Sequence, residues 1–221
     1  MNKRKALVIG ATGLIGRSLV FELLKSDAYD LVVVLARRDL VIKHPKFQQH
    51  LLDFDFLSDY SSYMQVDDVF CCMGSTQSKT PNLDVYRKID FIYPLQVATL
   101  AKNQGAKQFL LVSSLGANVK SSIFYSRLKG EIELAISELH YPTYRIFRPS
   151  LLLGSRNESR PLETLSQYLM RVLNVFFIGP AKKYKAIQGS LVAKAMIKAA
   201  LFNEQGTFTH QNDKIFEIAE A

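Results

Sequence analysis

Residues 5–16 read KALVIGATGLIG, an apolar run that closes on three glycines spaced three apart: Gly10, Gly13 and Gly16. The stretch Ala6–Ile9 predicts a strand, and the pattern Leu14, Leu19, Val20, Leu23, Leu24 predicts a helix over Leu14–Ser26. A strand that passes through a glycine turn straight into a helix is the context a dinucleotide-binding fingerprint needs. Such a turn aims backbone N–H groups and the positive end of the helix at one point, which suits a pyrophosphate. Gly10 would make the tight turn, Gly13 would let the backbone approach the phosphates, and Gly16 would let helix and strand pack closely, with Ala11, Thr12, Leu14 and Ile15 completing the cradle. The spacing is GxxGxxG rather than GxGxxG. Glycines gather in turns for conformational reasons alone, so the flanking strand and helix carry the reading.

Outward from this turn the chain alternates. Further strands are predicted at Leu31–Leu35, Val66–Cys72, Gln108–Ser113 and Thr143–Phe147, with a shorter one near Phe47–Leu52. Helical patterns lie at about Asp84–Gln104 and Ser121–Leu139. Alternation of strand and helix argues for a parallel sheet covered on both faces, and runs such as LVVVL and FLLV are what doubly buried strands look like. The fold class is α/β, a single-domain Rossmann-type doubly wound parallel sheet over residues 1–221, with ligands at the carboxyl ends of its strands. After Pro149 come a polar loop (Gly154–Arg160), a helical segment and the apolar run Val172–Ile178. A helix at about Leu191–Phe202 and a short strand at Lys214–Ile218 are expected to close the chain, and 150–189 is the expected cover of the substrate site, a small C-terminal extension.

Composition narrows the function. The chain has 221 residues, 48% of them apolar and 22% charged, as in an ordinary globular domain. No apolar run approaches the ~20 residues of a membrane span, and the apolar part of MNKRKALVIG is too short for a signal peptide. The net charge of +8 is dispersed, its densest cluster being Lys182, Lys183 and Lys185, so a solvated basic surface is expected and no nucleic-acid partner. Cys71 and Cys72 are neighbours on a strand and point to opposite faces; without another partner they imply thiols and a cytoplasmic home. His44, His50, His140 and His210 are scattered, with no metal-ligand spacing.

At the end of the second strand, where NAD-specific sites carry an acid for the ribose hydroxyl, this chain has Ala36 followed by Arg37 and Arg38. Two guanidiniums suit a 2′-phosphate through charge-assisted forks and stacking, so NADP(H) is the expected cofactor. Asp53 and Phe54 could bracket the adenine, with Asp55 a competing candidate. Tyr125 and Lys129 form the only YxxxK of the chain; the spacing is weak evidence, but i and i+4 share a helix face, and this helix follows the strand that ends at Ser113 and Ser114. There a tyrosine can act as general acid, its pKa of about 10 lowered by the neighbouring ammonium, while a serine hydroxyl holds the substrate oxygen.

GATGLIG, LARRDL, CCMGST, VSSLGA, YSRLKGEIE, RPSLLLG and SRNESRP together resemble the short-chain dehydrogenase/reductase superfamily, and more closely its atypical branch, the Tat-interacting-protein group. The resemblance covers essentially the whole chain. It implies a Rossmann fold holding NADP(H), with Cys72, Met73 and Gly74 lining the cofactor, Lys129 reaching the nicotinamide ribose, and Arg148, Pro149, Ser150 and Leu151 bordering the nicotinamide end. It implies catalysis by Ser114, Tyr125 and Lys129, with Ser113 close behind Ser114, and a homodimer through helices four and five. One departure stands out: Asp90 occupies the place in helix four where members with established chemistry usually carry asparagine. The reading is an NADP(H)-dependent oxidoreductase acting on a small carbonyl or hydroxyl compound; the alternative is an NADPH-binding redox sensor with little turnover. Nucleotide-sugar epimerisation or dehydration ranks last, because such enzymes use a longer C-terminal lobe.

Overall fold

A computed structural model of the chain describes residues 3–154 and 183–221. Its main sheet contains β1 (Arg4–Ile9), β2 (Tyr29–Ala36), β3 (Phe47–Leu51), β4 (Asp68–Cys71), β5 (Gln108–Val112), β6 (Thr143–Arg148) and a last strand, Gly206–Gln211. The order is β3-β2-β1-β4-β5-β6 followed by Gly206–Gln211, and every pairing is parallel. The order reverses between β1 and β4, and at such a switch point the connections leave a crevice at the carboxyl ends of the strands.

Alternation along each strand divides the core in two. Ala6 and Val8 of β1 face one side, where α1 (Leu14–Lys25) packs with the helices Gly189–Ala200 and Asn212–Glu220. Leu7 and Ile9 face the other, against the 3-10 segment Phe54–Met64 and the helices Tyr93–Asn103 and Phe124–Ser137. In α1 the buried residues Ile15, Leu19, Val20, Leu23 and Leu24 form one stripe at helical spacing. Each fully buried leucine there contributes about 2 kcal/mol of burial. Lys25 in the last turn suits the negative end of the helix.

Two expectations change. Lys214–Ile218 is not a strand: it lies within the helix Asn212–Glu220, which buries Ile215, Ile218 and Ala219 at helical spacing. The strand comes just before it, at Gly206–Gln211, and makes the sheet seven-stranded. The helix expected over Asp84–Gln104 is broken in three: α2 (Leu83–Arg87), a π-helical turn at Lys88–Ile92, and α3 (Tyr93–Asn103). Pro94 explains the break, since it offers no N–H to the turn before it and its ring crowds the carbonyl four residues back. The wide turn sends Asp90 inward, leaving it 1% exposed.

The helix Phe124–Ser137 is α4, Gly189–Ala200 is α5 and Asn212–Glu220 is α6. A two-stranded parallel ladder, β7 (Leu152–Leu153) with β8 (Ile187–Gln188), ties the two ends of the expected covering segment together. Residues 155–182, including Arg156, Glu158, Arg160 and Val172–Ile178, lie outside the described residues.

Candidate active site

The turn after β1 is built for a close approach. Gly10 has φ +77, and a Cβ there would overlap the backbone of Cys72 and Met73; only glycine takes that conformation and leaves that space. A Cβ on Gly16 would overlap the Gly10 carbonyl oxygen, so helix and strand touch backbone to backbone. The N-terminus of α1 has no side-chain cap and no acidic residue in its first turn. Its N–H groups and positive end therefore face the cavity, as an anion site requires.

The cavity is about 720 Å³ and is lined by the glycine turn from Gly10 to Ile15, by Arg37 and Arg38, by Phe54, by Cys72–Thr76, and by Asp90, Ser113, Tyr125 and Lys129. Phe54 packs on Tyr93, with ring centroids 5.5 Å apart, while the Asp53 carboxylate accepts from the Asp55 amide and caps the segment that follows. Asp55 itself takes the Lys88 ammonium at 3.0 Å and the Tyr93 hydroxyl at 2.7 Å. The loop that carries the arginines is fastened by Gln49 on β3: the Leu40 amide donates to its side-chain oxygen at 3.1 Å and its amide donates to the Arg38 carbonyl at 3.4 Å.

On α4, Tyr125 is 40% exposed and Lys129 is buried, its Nζ 6.0 Å from the Tyr125 ring centroid. Burial opposes charge on Lys129, but the Asp90 carboxylate 2.9 Å away outweighs it and holds the ammonium above the ordinary lysine range. The other Asp90 oxygen accepts from the Ser75 amide at 2.7 Å. Gly74 lies against the pair: a Cβ there would stand 3.3 Å from Asp90 and 3.4 Å from Lys129.

The two serines differ. Ser113 lines the cavity and its hydroxyl donates to Glu133, which also grips the Arg148 guanidinium, Nε to Oε1 being 3.0 Å. The Ser114 hydroxyl is buried with no partner among the described residues. Arg148 thus points to α4 as a strut. Pro149 accepts from the Leu115 amide, Ser150 is held by Asn212 and the Lys185 carbonyl, and Leu151 is exposed; from this stretch it is Leu152 that reaches the cavity wall. Sequence reasoning missed the loop Ser75–Asn82, Val85 and Ile89 of the wall. Its position after a central parallel strand was the available signal. It missed Glu133 as well, one turn beyond Lys129 on the same helix.

The class these features define is a Rossmann-fold protein with an NAD(P)-type cofactor site at the switch point of its sheet. A sequence profile of the NAD dependent epimerase/dehydratase family matches residues 6–124, and the chain belongs to that family. Protein HTATIP2 of Rattus norvegicus is 37% identical over 171 residues, which are 76% of this chain and 70% of that protein. Protein FMP52-1, mitochondrial, of Scheffersomyces stipitis is 30% identical, covering 98% of this chain and 95% of its own. Among solved structures, the UDP-N-acetylglucosamine 4-epimerase from Methanobrevibacter ruminantium M1 in complex with UDP-N-acetylmuramic acid superposes with a TM-score of 0.72 at 18% identity, over 98% of this chain and 81% of its own. MoeE5 in complex with UDP-glucose and NAD gives 0.70 at 18% identity, over 93% and 74%.

The fungal relatives correct one expectation. Proteins that align along nearly the whole chain are named mitochondrial, so the cytoplasmic placement does not stand. Cys71 and Cys72 are free thiols, and two thiols that do not pair carry no information about compartment. No helix among the described residues is long and apolar enough to cross a membrane.

Proposed function

We propose that this chain is an NADP(H)-dependent oxidoreductase of the short-chain dehydrogenase/reductase type that acts on a small carbonyl or hydroxyl compound. The observation that carries the reading is convergence: one cavity is shared by the glycine turn, the two arginines, and the Tyr125–Lys129 pair with Ser113. In this reading the pyrophosphate sits on the Gly10–Gly16 turn and the open end of α1, the 2′-phosphate lies between Arg37 and Arg38, and Phe54 borders the adenine beside Asp53. Cys72, Met73 and Gly74 flank the cofactor toward its nicotinamide end, with the backbone from Arg148 to Leu151 beyond them. When bound, the nicotinamide supplies or takes up the hydride.

The chain's own residues manage the proton. The Tyr125 hydroxyl exchanges it with the substrate oxygen, and its partial exposure keeps it within reach of a ligand. Lys129 holds its charge beside that hydroxyl and reaches toward the ribose. A serine orients the substrate oxygen: Ser113 stands in the cavity wall with its proton committed to Glu133, which leaves it an acceptor, whereas Ser114, whose buried hydroxyl has no partner among the described residues, lies behind that wall and would have to turn toward the cavity to serve. The β7–β8 ladder holds the two ends of 150–189 side by side, and Leu152 at one of them lines the cavity, which supports that segment as the cover of the substrate site. Two copies would pair through α3 and α4, where Leu134 is 53% exposed.

Tyr125→Phe is the test. Purified protein should oxidise NADPH with at least one member of a panel of small aldehydes and ketones, and the variant should lose at least about a hundredfold in rate, the usual worth of a positioned general acid. An unchanged rate in the variant refutes the catalytic role. The second reading, an NADPH-responsive binding protein, is favoured by the pairing of the Lys129 ammonium with the Asp90 carboxylate and predicts tight NADPH binding without turnover on the whole panel.

A further inference from the structure

A lone ammonium beside Tyr125 would favour loss of the phenol proton. The ammonium here is not alone. Lys129 Nζ lies 2.9 Å from Asp90 Oδ1, and both side chains are withdrawn from water, at 5% and 0% exposure. Asp90 is also fixed from its other side, by the Ser75 amide at 2.7 Å. It reaches this place only because the helix widens into a π turn at Lys88–Ile92.

We propose that Asp90 is a charge-setting and positioning residue for the Tyr125–Lys129 pair: its carboxylate balances the Lys129 ammonium, so that Tyr125 faces a dipole and not a cation. This deepens the reductase reading and rests on its assignment of the proton to Tyr125. Ammonium and carboxylate act on the phenol in opposite directions: the Lys129 ammonium, 6.0 Å from the Tyr125 ring centroid, is offset by the carboxylate it is paired with.

The other titratable groups around the pair are two acids held protonated by burial, one closed ion pair and three cations of the cavity wall. The Cys71 thiol, on β4, is pushed up to about 11 by burial. The Tyr86 phenol, on α2, is raised by burial and then by Asp90. Glu133, one turn along α4, is satisfied by Arg148 and the Ser113 hydroxyl. Arg37, Arg38 and Lys79 line the same cavity, and they are present equally in every variant below.

The test reads the phenol itself and needs no substrate. Full-length protein carrying 13C-labelled tyrosine is titrated by NMR, with the Tyr125 signal identified by its loss in Tyr125→Phe. In Asp90→Asn the Tyr125 midpoint should fall by about one pH unit, a tenfold change in proton affinity and the order expected when a neighbouring charge is removed. Asp90→Glu should restore the wild-type midpoint. A midpoint in Asp90→Asn at or above the wild type overturns the proposal, since a merely structural aspartate would leave the field on Tyr125 unchanged. Circular dichroism reports folding. If Asp90→Asn does not fold, the charge-free double variant Asp90→Asn, Lys129→Gln serves: removing a balanced pair should move the midpoint by no more than about one unit, and a larger shift in either direction overturns the proposal. The reductase reading fails separately, through the NADPH assay with Tyr125→Phe, so the two failures are distinguishable.

Discussion

Replacing Gly10 by alanine tests the architecture of the glycine turn in quantitative terms. Two costs meet at this residue. The first is conformational: φ is +77, and a left-handed conformation costs a residue with a Cβ about 1–2 kcal/mol. The second is steric: the new methyl would overlap the backbone of Cys72 and Met73, atoms fixed by β4 and by the Cys72 amide bonded to the Ile9 carbonyl at 2.9 Å. Forcing such a shift in a packed region costs about 1–3 kcal/mol more. The sum is about 2–5 kcal/mol, which corresponds to a fall of roughly 5–15 °C in Tm for a domain of this size. Gly105→Ala is the matched control: its φ is +95, but a Cβ there meets nothing within 4 Å, so only the conformational cost of about 1–2 kcal/mol applies. Urea unfolding of the two variants gives the difference, and fluorescence titration with NADPH reports the cradle. Gly10→Ala should be the less stable by at least about 1 kcal/mol and should bind NADPH at least tenfold more weakly, whereas Gly105→Ala should bind normally. Equal destabilisation with intact binding would refute the close approach of the two backbones.

Gln49→Leu should loosen the arginine loop by removing its two fastenings; NADPH affinity should fall about fivefold, the worth of about 1 kcal/mol of lost hydrogen bonding, while NADH affinity stays within error and Tm falls by no more than about 4 °C. His210 predicts a pH dependence. Burial first, and Arg145 second, lower its pKa to about 4 from 6.5. Between those values the unfolded chain binds the proton and the folded one does not, so stability is full above pH 6.5 and declines by about 3 kcal/mol as pH falls to 4. His210→Phe should flatten that part of the profile in denaturant melts at stepped pH, and an identical decline would contradict the assignment.

The fold was legible in the sequence where physics leaves one option. Strands buried on both faces must be continuous apolar runs, and the KALVIG and LVVVLA segments are the interior strands β1 and β2. Lys214–Ile218 was ambiguous because five residues with apolar positions at 215, 216 and 218 fit either a strand or one helical turn; its length decided nothing. The edge strand Gly206–Gln211 gave little signal because half of its residues are exposed and only one is buried. Within the candidate site, local motifs could be placed but their pairings could not. Asp90, Lys129, Ser113 and Arg148 stood out as residues and Glu133 did not, and the Asp90–Lys129 and Glu133–Arg148 pairs depend on a π turn and on the packing of α4 against β5 and β6. No spacing rule spans such distances along the chain.

The most direct measurement for the account as a whole is a calorimetric titration of the purified full-length protein with NADPH and with NADH, repeated for Arg37→Glu. The wild type should bind NADPH the more tightly, by at least about tenfold for a charge-assisted phosphate contact, and Arg37→Glu should abolish this preference while NADH binding persists. Equal affinity of the wild type for both, or equal loss of both in the variant, would contradict the 2′-phosphate assignment on which the proposed function rests.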